Sequence, residues 1–276
     1  MIINHNMSSL FASRQVGLTQ GSITKDMEKL SSGMKINRAS DDAAGLALSE
    51  KMRTQIRGLN MASKNVSDMT SFVQTADGYM QETTDVLQRI RELAVQSSNG
   101  IYSDEDRLQI QVEVSSLVSE IDRIASSAQF NGMNILTGRF AENGNVFHIG
   151  ANTDQTISVK IGNVSSEALG LTAQGNRISV ADQESANLTI ATIDEALKVV
   201  LKNRADVGAT MNRAEMAKKG IDIAAENLQA ADSRIRDTDM AQAMTEYTRD
   251  AILQQAGTAM LAQANNSSQN VLALLK

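Results

Sequence analysis

A chain of 276 residues with net charge −6 and no cysteine excludes a disulfide framework and thiolate metal sites, and it offers no basic face for nucleic-acid phosphates. Aromatic residues make up only 3% and Trp is absent, which suits thin helix-on-helix seams of Leu, Ile, Val, Met and Ala rather than a thick globular core. Proline is absent where average usage gives roughly 14. One interior proline costs a helix about 3 kcal/mol, so its absence fits a chain that is helical nearly everywhere.

The opening "MIINHNMSSLFASRQ" lacks a basic region followed by an apolar one, and so is not a Sec-type signal peptide. Apolar runs stay shorter than a membrane span, so no membrane insertion is expected. Ile23, Met27, Leu30 and Met34 recur at steps of four, three and four and predict the first helical stripe. "INRASDDAAGL" (36–46) then predicts a helix start, with Ser40 as N-cap and Asp41 and Asp42 in the positive first turn. Arg38 is placed to pair with them.

A second stripe runs Met69, Phe72, Ala76, Met80, Thr83, Leu87, Ile90 and Ala94. Asn99-Gly100 supplies a reversal, and Ser103 caps a helix opening with Asp104, Glu105 and Asp106. That helix carries Val114, Leu117, Ile121, Ile124 and Ala128. Residues 145–162 alternate in short β-rich pieces around a turn and predict a hairpin. After a polar stretch to about 187, one register holds from Ile190 through Ile193, Leu197, Val200, Val207, Met211 and Ile221 to Ile235. Arg204, Lys218 and Asp232 occupy intervening seam positions. The last stripe comprises Met240, Met244, Tyr247, Ala251, Leu261, Leu272 and Leu275.

Signs of chemistry are few. The two histidines, His5 and His148, sit in no metal-ligand spacing, and no HExxH, GxSxG, P-loop or GxGxxG is present. The Asp41–Asp42 pair reads as helix capping rather than acid–base machinery. Neither an enzyme nor a cofactor is indicated. The terminal helices instead pose a packing problem, because each carries an apolar stripe with at most one partner in the chain. Leaving several Leu, Ile and Met side chains half-exposed forgoes several kcal/mol, at roughly 1.5–3 kcal/mol per fully buried side chain, so the ends gain order by packing on other copies.

Six segments together resemble bacterial flagellin: "MEKLSSGMKINRASDDAAGLALSEKMRTQIRGL", "QRIRELAVQSSNG", "AQFNGMNILTG", "FHIGAN", "AENLQAADSRIRDTDMA" and "ILQQAGTAMLAQANNSSQNVLALLK". The pieces "MIINHNMS" and "NGIYSDEDR" are most similar to core flagellins of periplasmic flagella of spiral-bodied bacteria. The resemblance implies a mainly α fold, a long antiparallel helical bundle or coiled coil of the D0–D1 type with a small β-hairpin in D1. Residues 1–40 and 237–276 are then the D0 helices of an inner tube, and 41–236 the surrounding D1. Only a short polar stretch stands where relatives insert outer domains, so none is expected.

By the same resemblance the chain polymerises with itself into a motility filament, is exported unfolded through the flagellar type III system, and meets a C-terminal export chaperone. Filament cap and hook-associated junction proteins are further implied partners, with sheath proteins and Toll-like receptor 5 as candidates. Filament-core packing falls on Met27, Leu30, Met34, Met244, Tyr247, Leu261, Leu272 and Leu275, and a D0–D1 hinge and cap on Arg38, Ser40, Asp41 and Asp42. Receptor contacts carry over by motif to Arg89, Leu93 and Glu113. The alternative is a flagellin-like hook–filament junction protein, which shares the terminal helices but diverges through the central motifs. An external filament is the alternative to a periplasmic one. A chemoreceptor signalling rod needs a membrane span, and a secreted enzyme needs a site.

Overall fold

The computed structural model describes residues 6–173 and 176–274. Five helices occur among them: α1 Met7–Ser32, α2 Ala43–Ser97, α3 Asp104–Ser127, α4 Gln183–Arg236 and α5 Met240–Leu274. Three two-stranded antiparallel ribbons lie between α3 and α4: β1 Gln129–Phe130 with β2 Met133–Asn134, β3 Asn145–His148 with β4 Thr156–Val159, and β5 Thr172–Ala173 with β6 Asn176–Arg177. The chain forms two compact units. One comprises 1–55 and 226–276, the other 56–225; α2 and α4 contribute to both.

In the 56–225 unit a seven-residue interval organises the packing. Ala186, Ile193, Val200, Val207, Ala214 and Ile221 of α4 are all buried, and a strict heptad keeps one seam facing its partner helices. At the intervening seam positions Arg204 donates to Asp77 at 2.8 Å and Lys218 to Ser67 at 3.0 Å, both on α2. The expected stripe of α2, from Met69 to Ala94, is buried throughout. On α3, Val114, Ile121, Ile124 and Ala128 are buried and Leu117 is half-buried.

The helix starts and turns follow local chemistry. Ser103 and Asp106 form a reciprocal capping box at α3, each satisfying an N–H that the helix leaves unpaired. The bonds from Ser103 hold the Asp106 carboxyl below its ordinary range. Asn131 and Gly132, at φ 50° and 74°, make the tight β1–β2 turn, a conformation that Asn and Gly tolerate best. The expected hairpin is β3–β4, with Asn145 opposite Val159 and His148 opposite Thr156. Ile157 and Val159 face inward.

Phe72 of α2 sits among Phe130, Phe140 and Phe147, with ring centroids 5.5, 5.8 and 5.6 Å away. Three of these partners come from the ribbon segments, so one fully buried ring fastens the ribbons to α2. The connection from β4 to α4 folds back into the same unit: Ile161, Val164, Leu171 and Val180 are buried. Ser97 donates to the Val180 carbonyl, and Gln111 accepts from the Val180 N–H. No outer domain stands between the two long helices among the described residues. Phe72→Ala is expected to destabilise this unit by about 3–5 kcal/mol, read as a shift in the urea midpoint by circular dichroism; a change below about 1 kcal/mol would show that the ribbons are fastened elsewhere.

Candidate functional site

The other unit pairs the two terminal helices. Asn6 caps α1 by accepting from Ser9 N–H, and Gly33 at φ 71° ends it with a bond to the Lys29 carbonyl. The α1 face turned to α5 is Ala12, Val16, Thr19, Ile23, Asp26 and Leu30, at alternating steps of four and three, all buried or half-buried. Its counterpart on α5 is Ala243, Tyr247, Asp250, Gln254, Gly257, Leu261 and Ala264. The axes approach closely: a methyl group at Gly257 would lie 2.9 Å from Val16 Cγ2. Asn6 donates to the Ala264 carbonyl at 2.9 Å, Ser9 to Asn265 at 2.7 Å, and Gln254 to Gln20.

This seam mixes small and polar residues with Val16, Ile23, Leu30, Tyr247 and Leu261, and it leaves other large apolar side chains outside. Met7 is 69% exposed, Phe11 70%, Leu253 52% and Met260 66%. Together with Ala12 and Gly257 they line one apolar groove of about 660 Å³ along the helix pair. Leu10, Leu18, Ile252 and Met240 are exposed as well. Two helices alone cannot cover these side chains.

The expected filament-packing residues divide accordingly. Leu30, Met34, Tyr247 and Leu261 are half-buried, whereas Met27 and Met244 are exposed, at 52% and 50%. Within the single chain the seam runs one position before each of these two, through Asp26 and Ala243, and Met27 and Met244 stay on the outward face. Leu272 falls in the last turns of α5, and Leu275 and His5 lie outside the described residues. Sequence reasoning missed the groove. Its signal was present in Met7 and Phe11, four residues apart, and in Leu253 and Met260, seven apart.

The turn between α1 and α2 is closed by carboxylates. Lys35 N–H donates to the Arg236 carbonyl and Thr238 N–H to the Gly33 carbonyl, so the α1–α2 and α4–α5 connections form a short antiparallel bridge. Asp41 accepts from the Arg38 and Asn37 N–H groups. Those two bonds, Arg38's first, hold its carboxyl below the ordinary range. Asp42 accepts from Gly45 N–H at 2.9 Å, while its carbonyl accepts the first helical bond from Leu46.

The N-cap of α2 is therefore Asp42, not Ser40, which lies within the preceding turn. A Cβ at Gly45 would sit 2.4 Å from Asp42 Oδ2 and 2.9 Å from Ile36 Cδ1, so any side chain there displaces the Asp42 and Ile36 side chains. Arg38 pairs not with the aspartates but with Glu28, at 2.8 Å. Behind the turn, Arg236 binds Glu50 at 2.9 Å and, ahead of Arg53, lowers that carboxyl. Both aspartates are occupied with backbone N–H groups, and among the described residues no cluster of His, Asp and Glu could hold a metal ion.

In the 56–225 unit Arg89 donates to Glu113 at 2.9 Å and to Glu92 at 3.2 Å. These carboxylates, Glu113 first, raise the guanidinium further above its usual range. Leu93 is 2% exposed and belongs to the core. The three residues thus do not share one surface. Arg89 and Glu113 are accessible, and Leu93 is enclosed in the core of the unit.

Residues 3–141 match the bacterial flagellin N-terminal helical region and residues 190–275 the bacterial flagellin C-terminal helical region. Over the full length of both chains, the sequence is 63% identical to the flagellar filament 31.3 kDa core protein of Treponema maltophilum. It is 59% identical to flagellin FlaB1 of Treponema pallidum and 54% identical to the flagellar filament core protein flaB2 of Brachyspira hyodysenteriae, again over the whole of each. With both helical regions matched in order and full-length identity this high, the chain belongs to the bacterial flagellin family.

Proposed function

We propose that this flagellin, a core subunit of the flagellar filament, packs through the outward faces of α1 and α5 into the inner tube of a periplasmic flagellum, with residues 41–236 forming the layer around it. The observation that carries the reading is the uncovered face of the helix pair. α1 and α5 cover only one face of each other, and Met7, Phe11, Leu253 and Met260 face out. Burying each such side chain is worth roughly 1.5–3 kcal/mol, and other copies of the same pair supply the cover. Full-length likeness to filament core proteins of Treponema and Brachyspira supports the periplasmic location and favours a filament subunit over a hook–filament junction protein.

The same exposed faces account for the remaining partners. A chain exported unfolded through the flagellar type III channel carries α5 uncovered beforehand, and a C-terminal chaperone would shield it. Cap, junction and sheath proteins would meet the ends and outside of the polymer. Arg89 and Glu113 form the accessible part of the surface through which depolymerised protein would meet Toll-like receptor 5.

Leu253→Asp tests the packing. Leu253 is exposed in the single chain, so the circular-dichroism melt is expected to stay within about 0.5 kcal/mol of the parent. Polymerisation would bury the carboxylate, so seeded assembly is expected to fail; normal filaments by electron microscopy would refute the tube-facing assignment. Limited proteolysis of the monomer is expected to trim both termini and leave a core near 41–236, because elements with few buried contacts open most readily. Uniform resistance along the chain would contradict that. For the receptor, Arg89→Ala with Glu113→Ala is expected to shift the reporter-cell dose curve of monomer to higher concentration, and an unchanged curve would remove this surface from consideration.

A further inference from the structure

Methionine is abundant in this chain, at 14 residues. In the 56–225 unit Met69 and Met80 are wholly enclosed while Met61 and Met216 are exposed. On the helix pair Met7 of α1 and Met260 of α5 are each about two-thirds exposed. The two line the same groove, with Phe11 and Leu253 as their apolar neighbours and Ala12 and Gly257 among the small residues between them. The close approach at Gly257 against Val16 gives the groove a floor without bulk, so its apolar character rests on these four large side chains. Two of the four are thioethers.

A thioether differs from the leucine it resembles in one reaction. Peroxides transfer an oxygen atom to its sulfur, converting a flexible apolar side chain into a polar sulfoxide. Susceptibility follows exposure, and both sulfurs are reachable only while the groove is uncovered. We propose that Met7 and Met260 form an oxidation site that controls assembly competence of the unassembled chain, with hydrogen peroxide or an organic hydroperoxide as co-reactant. Two electrons of the sulfur are shared with the peroxide's terminal oxygen, the O–O bond breaks, and water or an alcohol leaves as the sulfoxide forms. The new S–O dipole stands where another copy's apolar side chains must pack, and burying that dipole against apolar groups opposes the packing. In the filament the groove is covered and the site closes. Sulfoxide is reversible by methionine sulfoxide reductases, so the block is resettable before assembly.

The inference rests on the helix-pair surface being the packing surface, and the experiment separates the two. Monomer is exposed to hydrogen peroxide for timed intervals, quenched, and divided between peptide mass spectrometry and seeded polymerisation. In the monomer, Met7 and Met260 are expected to gain about 16 Da each at least tenfold faster than Met69 and Met80. Seeded assembly is expected to fall at least tenfold in parallel. The Met7→Leu/Met260→Leu variant keeps the apolar groove and is expected to assemble as the untreated parent does, before and after peroxide, although Met27, Met216 and Met244 remain exposed and oxidisable.

Oxidation of Met7 and Met260 no faster than of the enclosed methionines overturns the site, whether or not filaments form. Equal loss of assembly in parent and variant overturns its control of assembly, assigning the effect to other thioethers. Full assembly of parent carrying both sulfoxides overturns it too. In preformed filaments the two residues are expected to be protected at least tenfold while Met216 stays reactive; unprotected groove methionines in intact filaments would instead count against the packing surface itself.

Discussion

Helices that meet along a single seam must choose what to put in it, and that choice governs both units of this flagellin. On α4 the interval Ala186, Ile193, Val200, Val207, Ala214, Ile221 places aliphatic side chains against α2, and the seam is thick enough to bury Met69, Phe72 and Met80 completely. On α1 and α5 the seam intersperses Thr19, Asp26, Asp250 and Gly257 with Val16, Ile23, Leu30, Tyr247 and Leu261. The helices come close at Gly257, and several other large apolar side chains remain outside. One unit completes its core from its own residues. The other leaves large apolar side chains exposed along its helix pair.

Rigidity is distributed in the same way. The single ring of Phe72 is in contact range of three other phenylalanines, so four of the five phenylalanines in the chain are spent on joining ribbons to α2. The fifth, Phe11, lies in the groove. In the turn between α1 and α2, Asp41 takes up the N–H groups of Asn37 and Arg38 within the turn, and Asp42 takes up the Gly45 N–H that the starting helix leaves open. Gly45 lets Ile36 and Asp42 close over the first turn of α2. These are short-range, directional constraints, and they fix the chain path where no thick core exists to do so.

How far the sequence could be read follows from these differences. The α2 and α4 seams were legible because their buried positions are large and apolar at heptad spacing, so composition and periodicity agree. The Ser103 cap was legible because serine with Asp106 three residues on is a purely local device. The α1–α5 register was not. Hydropathy assigned Met27 and Met244 to the stripes, whereas within the single chain the seam runs through Asp26 and Ala243, and nothing in either helix alone reveals how near its partner comes. The cap at Asp42 was displaced for a related reason: Ser40, Asp41 and Asp42 are all good N-caps, and only the bridge at Met34 and Asp237 decides where the helix starts. The family motif located Arg89, Leu93 and Glu113 in sequence but did not separate the two that reach solvent from the one that fills the core.

The outward placement of bulky residues also explains why methionine suits the groove. A filament surface must accept neighbours whose side chains approach from more than one direction, and an unbranched thioether adapts to irregular gaps at less strain than a β-branched residue. Phe11 and Leu253 give the groove fixed shape, and Met7 and Met260 give it tolerance. That adaptability comes with a sulfur lone pair, which leucine lacks. The property that fits these helices for self-packing is therefore the same one that makes their uncovered state chemically distinguishable from their packed state.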